Sequence, residues 1–136
     1  LELWQGTGSD ENNNSLILHL RYKGASLLLT GDAETKAVEY LLKQKNTPAC
    51  QVLKIPHHGS ALDSLSSLLE HLTPQVAVIS VGTNSFGHPH PETLSTLEGK
   101  GVQVYRTDWH GAVTLSSNGH AWKVKTMLPR QKAVEK

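Results

Sequence analysis

The sequence predicts an α/β fold, a sheet of buried strands with helices between them, and two observations carry this. Short apolar runs, Leu27-Leu28-Leu29, Val52-Leu53 and residues 76–81, have the length and character of strands buried on both faces. Between them lie segments whose apolar residues recur at helical spacing and stop at a proline or a glycine. Strands alternating with helices make a layered α/β architecture. At 136 residues the chain fits one domain with a core of its own.

Residues 1–14 carry Trp4 and then turn polar, with Gly6, Gly8, Asp10 and Asn12-Asn13-Asn14, and read as a loop. Residues 15–22 alternate, placing Leu16, Leu18, Leu20 and Tyr22 on one face and Ile17, His19 and Arg21 on the other, the pattern of a half-buried strand. Lys23-Gly24 turns the chain into Leu27-Leu28-Leu29. After Asp32 the period changes: Ala37, Val38, Leu41 and Leu42 share one face of a helix over residues 33–44, which stops before Pro48. Residues 52–55 form the next strand. Leu62, Leu65, Leu68, Leu69 and Leu72 stripe a second helix that ends before Pro74. Residues 76–81 are a third buried strand, and residues 82–91 a polar loop. Pro91 suits the first turn of a helix whose Leu94 and Leu97 face inward and which Gly101 closes. A strand over 102–106 follows, and residues 111–116 and 120–125 flank Asn118-Gly119, a strong hairpin signal. Residues 126–136 lose periodicity and read as a disordered basic tail.

Bulk properties narrow the function little. The formal net charge is +1, which argues neither for nor against a polyanionic partner. Cys50 is the single cysteine, so no internal disulfide forms. No run approaches the ~18 consecutive apolar residues of a membrane span. Lys123, Lys125, Arg130, Lys132 and Lys136 make a basic C-terminal stretch, read as solvated rather than as a phosphate contact.

The informative residues are polar groups delivered at strand ends. Eight histidines are many for this length. One strand runs into Pro56-His57-His58-Gly59-Ser60 and another into Thr30-Gly31-Asp32, which puts a carboxylate and imidazoles on one rim, as a metal centre or an acid–base centre requires. Asp32 also precedes a helix and suits an N-cap, a role compatible with metal binding. Of the adjacent histidines, His57 sits nearest the strand end and is the favoured metal ligand. His58 then supports it or donates a proton. Ser60 reads as a cap for the following helix rather than a nucleophile. In Asn84-Ser85-Phe86-Gly87-His88-Pro89-His90-Pro91, His88 is a candidate substrate contact and proton-transfer residue. Asn84 is a candidate amide donor to a phosphate oxygen, and His90 a substrate contact or a helix-start residue. His110 reads as structural, and His19, His71 and His120 as residues on element surfaces.

Taken in order, Asn12 to Leu18, Leu28-Leu29-Thr30-Gly31-Asp32, Pro56-His57-His58-Gly59-Ser60, Ser80-Val81-Gly82 and Gly87-His88-Pro89-His90-Pro91 give the chain a resemblance to one family. Over about residues 10–118 it resembles the C-terminal half of the metallo-β-lactamase-like domain of ComEC-type competence proteins. The resemblance implies part of an αββα sandwich, with residues 1–125 its C-terminal portion and a two-metal site on the sheet rim. It implies that Asp32 bridges the metals, zinc or manganese, and that His57 or His58 is a terminal ligand. The implied task is phosphodiester hydrolysis during DNA uptake, degrading one strand while the other enters the cell.

The family's His-x-His-x-Asp-His motif does not occur in these residues. The expectation is therefore a part of a nuclease domain, inactive alone and holding metal weakly or not at all. Its implied partners are DNA, the rest of the domain, a membrane channel domain and further copies of itself. The resemblance places it on the extracytoplasmic face of a bacterial integral membrane protein. Two other readings stay open: a non-catalytic DNA-binding or packing module, and a hydrolase of other phosphoesters on the same fold.

Overall fold

The structure, a computed structural model, describes residues 1–5, 11–44 and 47–129. Six strands form one mixed sheet in chain order: β1 (Glu2–Gln5), β2 (Leu16–Tyr22), β3 (Ala25–Leu29), β4 (Val52–Lys54), β5 (Val76–Ile79) and β6 (Gln103–Arg106). The first three pair antiparallel, and β3 to β6 pair parallel. Three helices serve the parallel half: α1 (Thr35–Lys43), α2 (Leu65–Leu72) and α3 (Pro91–Gly99). The short helix α4 (Thr107–His110) follows β6, and β7 (Val113–Ser117) pairs antiparallel with β8 (Trp122–Thr126) as a separate ribbon. The α/β class is as the periodicities indicate, with a mixed sheet and flanking helices.

One core explains the layering. Ile17, Leu28, Leu53, Ala77 and Ile79 from the sheet pack with Val38 and Leu41 of α1, Leu68, Leu69 and Leu72 of α2, and Leu97 of α3. The helices therefore cover one face, and each fully buried leucine contributes roughly 1.5–3 kcal/mol through removal from water. The ribbon meets the other face: Trp122 and Val124 line one cavity with Val76 and Tyr105, and Gly24 N–H donates to the Gly119 carbonyl at 2.8 Å.

Several expectations are corrected. The first five residues are not loop. Apolar Leu1 and Leu3 flank polar Glu2, and β1 lies antiparallel on β2 with Leu3 opposite Leu18. On β2, Ile17 and His19 are the buried residues while Leu16, Leu20 and Tyr22 are exposed. The helices lie on the isoleucine side, so the leucine-rich face looks away from the core, and His19 is no surface residue. The hairpin connection spans residues 118–121, longer than a two-residue turn, and Asn118 Oδ1 accepts from the N–H groups of His120 and Ala121. The tail begins later than residue 126: Met127 N–H donates to Ala112 O and Leu128 N–H to His110 O, both at 2.9 Å. Residues 130–136, and with them Arg130, Lys132 and Lys136, lie outside the described residues. No helix among the described residues is long and apolar enough to cross a membrane.

Candidate functional site

The parallel strands β3, β4 and β5 end on one rim, and the loops leaving them carry the polar residues. Thr30, fully buried, donates its hydroxyl to Lys54 O at 2.8 Å, tying the end of β3 to β4. Gly31 turns the chain with φ +55, and a Cβ there would stand 3.1 Å from Ser15 Cβ. Ser15 Oγ in turn accepts from Asp32 N–H at 3.1 Å. The Gly31 carbonyl accepts from His57 N–H at 3.3 Å and from Lys54 Nζ at 2.7 Å, which fastens the Asp32 turn to the histidine turn. Burial lowers the pKa of Lys54, against the pull of the Asp32 carboxylate towards the charged form.

His57 and His58 both occupy the left-handed region, with φ of 43° and 54°. Two successive non-glycine residues there are uncommon and strained, and such strain concentrates at functional sites. The twist sends the two rings to different partners. His58 Nδ1 lies 2.6 Å from Ser80 O. A carbonyl only accepts, so Nδ1 carries the hydrogen and Nε2 is the free position. Nε2 lies 3.5 Å from Asp32 Oδ1. His57 Nδ1 lies 3.2 Å from Glu34 Oε1, which also accepts from Asn12 Nδ2 at 2.9 Å. His58, one of the two candidate ligands, faces Asp32, and His57, the favoured one, faces Glu34, a residue the sequence reading did not single out.

In a neutral His58, Nε2 and Oδ1 would be two acceptors turned towards each other. A proton or a cation between them relieves that repulsion. An imidazole nitrogen and a carboxylate oxygen are zinc-type donors, and bonds of about 2.0–2.2 Å to one tetrahedral ion space its donors roughly 3.3–3.5 Å apart. The tie from Nδ1 to a backbone carbonyl is the usual outer support of a ligating histidine. The donor set is small, however. Among the described residues no group of three or more His, Cys, Asp or Glu gathers to hold an ion, whereas a catalytic zinc takes three protein ligands. Asp32 and His58 fit a metal as one corner of its shell.

The loop after β5 brings His88 to the same place. Its ring centroid is 5.6 Å from that of His57 and 6.0 Å from that of Phe86, whose ring lies 19° from parallel to it. Burial, then His57, His58 and His90, push the His88 imidazole below its ordinary pKa of 6.5. Its Nδ1 is buried without a hydrogen-bond partner among the described residues. His88 lines two cavities. One, of 410 Å³, is walled by Glu34, His57 and Ser60; the other, of 220 Å³, by His58, Val81 and Phe86.

The remaining candidates are held elsewhere. Asn84 spends its amide within the loop, donating to Gly82 O at 2.9 Å and His88 O at 2.8 Å while its carbonyl accepts from Phe86 N and His88 N. Both of its donors are used, so it staples the loop where a phosphate contact was expected. His90 is the N-cap of α3, its Nδ1 accepting from Glu92 N–H at 3.4 Å, and its own N–H donates to Gly59 O at 2.8 Å. Asp32 does not cap α1, which begins at Thr35 after Glu34, and Ser60 does not cap α2, which begins at Leu65. Ser60 instead offers its carbonyl to Thr93 Oγ1 at 2.8 Å. His110 is structural, as the sequence indicates, with Nδ1 within 3.0 Å of Arg106 N and 2.9 Å of Arg106 O.

Comparison with known proteins adds the following. No protein-family model matches the chain. It is 34% identical over 106 residues, 77% of its length, to ComE operon protein 3 of Bacillus subtilis (strain 168). It is 37% identical over 106 residues to Competence protein ComA of Neisseria gonorrhoeae, and 31% identical over 107 residues to Recombination protein 2 of Haemophilus influenzae. The chain spans 14%, 15% and 13% of the lengths of these three relatives.

Proposed function

We infer the function from one premise, that this chain is homologous to one segment of the ComEC-type competence proteins. In this reading it serves DNA uptake. Residues 1–125 are the C-terminal portion of a metallo-β-lactamase-like domain that hydrolyses phosphodiester bonds, removing one strand while the other is imported. The observation that carries it is the Asp32 Oδ1 to His58 Nε2 approach of 3.5 Å at the sheet rim, with His58 Nδ1 tied to Ser80 O.

Asp32 and His58 would hold a divalent ion, zinc or manganese, with further protein donors beyond these two. A pair of such ions, once bound, would supply an activated water and a counter-charge for the leaving oxygen. The chain's own residues do the rest. Ser80 fixes the tautomer of His58, and Glu34 orients the ring of His57 towards the cavity it shares with His88. His57 and His88 then present imidazole nitrogens to a phosphodiester in that cavity. The expected partners are DNA, the rest of the domain and a membrane channel domain, which would place the chain on the outer side of a bacterial membrane.

A second reading has an observation of its own. Among the described residues only two donors meet, and Leu3, Leu16, Leu20 and Tyr22 are exposed on the β1–β2 face, which suits a module that packs against other protein and does no chemistry. The same fold could also hydrolyse a different phosphoester.

Calorimetric titration of Zn²⁺ and Mn²⁺ into the chain, Asp32→Ala and His58→Ala tests the metal corner. Binding that disappears in both variants supports the hydrolase reading; binding indifferent to both removes its foundation. Hydrolysis of DNA compared with a choline-phosphate ester by a longer protein containing this segment separates the substrate classes.

A further inference from the structure

The geometry points to a nucleobase-stacking subsite on Phe86, directly beside the Asp32–His58 corner; it rests on the phosphodiester reading above and extends it to the base next to the bond that is cut. Phe86 is 80% exposed, so its ring is accessible to a ligand. The ring is not loosely hung. Asn84 holds the loop through four hydrogen bonds, one of them from Phe86 N–H at 3.1 Å. His88 stands beside the ring, with centroids 6.0 Å apart and planes 19° from parallel, and the exposure of Phe86 leaves a ring face free for a ligand.

Place and shape select the ligand. Phe86, His58 and Val81 wall one 220 Å³ cavity, so the aromatic ring and the His58 imidazole border the same concavity. His88 lines this cavity and the one it shares with His57, so a phosphodiester held between His57 and His88 carries its flanking base past His88 towards Phe86. The occupant is thus a flat aromatic group attached to a phosphate, a base of single-stranded DNA. Asn84, the cavity's amide side chain, has both donors engaged, which leaves stacking as the recognition mode there. Stacking on a phenyl ring tolerates every base, because each has a π-face. A subsite of this kind suits an enzyme that must process strands of any sequence. It also prefers a nucleotide over a phosphoester that has no ring.

The test measures, at one fixed salt concentration, binding of the chain to a fluorescent oligothymidine and to an abasic strand with the same number of phosphates. Phe86→Ala and Phe86→Trp are compared with the natural chain, their folding checked by thermal unfolding. The expected result is a preference for the strand with bases that falls by roughly 5- to 150-fold in Phe86→Ala and survives in Phe86→Trp, while affinity for the abasic strand stays the same. A natural chain that binds both strands equally, or a Phe86→Ala chain that keeps the full preference, overturns the subsite and leaves the phosphodiester reading standing. A natural chain that binds neither strand overturns both.

Discussion

Gly59 and Pro89 lie in contact across the rim: a Cβ on Gly59 would stand 2.6 Å from the Cβ of Pro89, and Gly59 has φ +83. The turn that carries both histidines is thereby pressed against the loop that carries His88. His90 N–H donating to Gly59 O at 2.8 Å adds a hydrogen bond to the same contact.

Gly59→Ala should therefore be among the most disruptive small substitutions in the chain. A left-handed conformation costs an L-residue about 1–2 kcal/mol, and the overpacking against Pro89 costs roughly 1–3 kcal/mol more. Urea unfolding should show a loss of about 2–5 kcal/mol. A shift below about 0.5 kcal/mol, the range of ordinary surface changes, would mean that the contact yields freely.

Asn84→Ala should loosen the loop that Asn84 pins and leave the core intact. The stability change should be near 1 kcal/mol, the worth of one or two net hydrogen bonds at an exposed site. The local effect should be larger. The amides of Phe86 and His88, which donate to Asn84 Oδ1 at 3.1 and 3.0 Å, should exchange hydrogen much faster. Unchanged exchange at both would show that other contacts hold the loop.

How much of this was legible beforehand differed by level. The α1 stripe of Ala37, Val38 and Leu41 and the α2 stripe of Leu65, Leu68, Leu69 and Leu72 are buried where helical periodicity puts them. Periodicity reports that a face exists and says nothing of which side meets the core. On β2 the three leucines and Tyr22 outweigh Ile17 and His19 in apolar content, yet the helices pack on the latter. The rim was legible as a place because polar residues follow apolar runs. The pairing within it was not: strand alternation stops at Pro56, and the left-handed dihedrals of His57 and His58 decide which ring faces Asp32. Glu34 had a signal that went unread, a second carboxylate two residues after Asp32 at a helix start.

His19 makes acid sensitivity testable. Burial lowers its pKa below 6.5, with Glu2, 3.4 Å away, pulling the other way. The folded protein thus binds this proton less readily than the unfolded chain does. The stability that neutral His19 contributes is intact above the unfolded value near 6.5 and is lost as pH falls from there through the folded pKa. Urea midpoints measured across that window should fall less steeply for His19→Gln than for the natural chain. Equal slopes would assign the acid sensitivity to other groups.

Cys50 should be silent in the folded protein. Its thiol is buried in the core, and burial pushes its pKa up to about 12, although a backbone hydrogen bond from Leu28 works the other way. Thiolate is the reactive form, so a disulfide reagent at neutral pH should label Cys50 only in denaturant. Prompt labelling of the native chain would reveal local opening of the sheet around Cys50.

The exposed sheet face should make the isolated chain self-associate. Leu3 lies opposite Leu18, Leu18 opposite Leu29, and Leu20 opposite Leu27, so these leucines share one face across β1, β2 and β3. Leu3, Leu16, Leu20 and Tyr22 are exposed there, while the β7–β8 ribbon meets the neighbouring strands on the same side. Contiguous apolar patches beyond a few hundred Å² drive association, and a face already half covered by a two-stranded ribbon favours another β-layer as its cover. Sedimentation of the chain should show mass rising with concentration, and Leu16→Lys with Leu20→Lys should restore a monomer without lowering the unfolding midpoint, since both side chains point away from the core. A natural chain that stays monomeric at high concentration would show that this face is soluble as it stands, and would remove the main support for the packing-module reading.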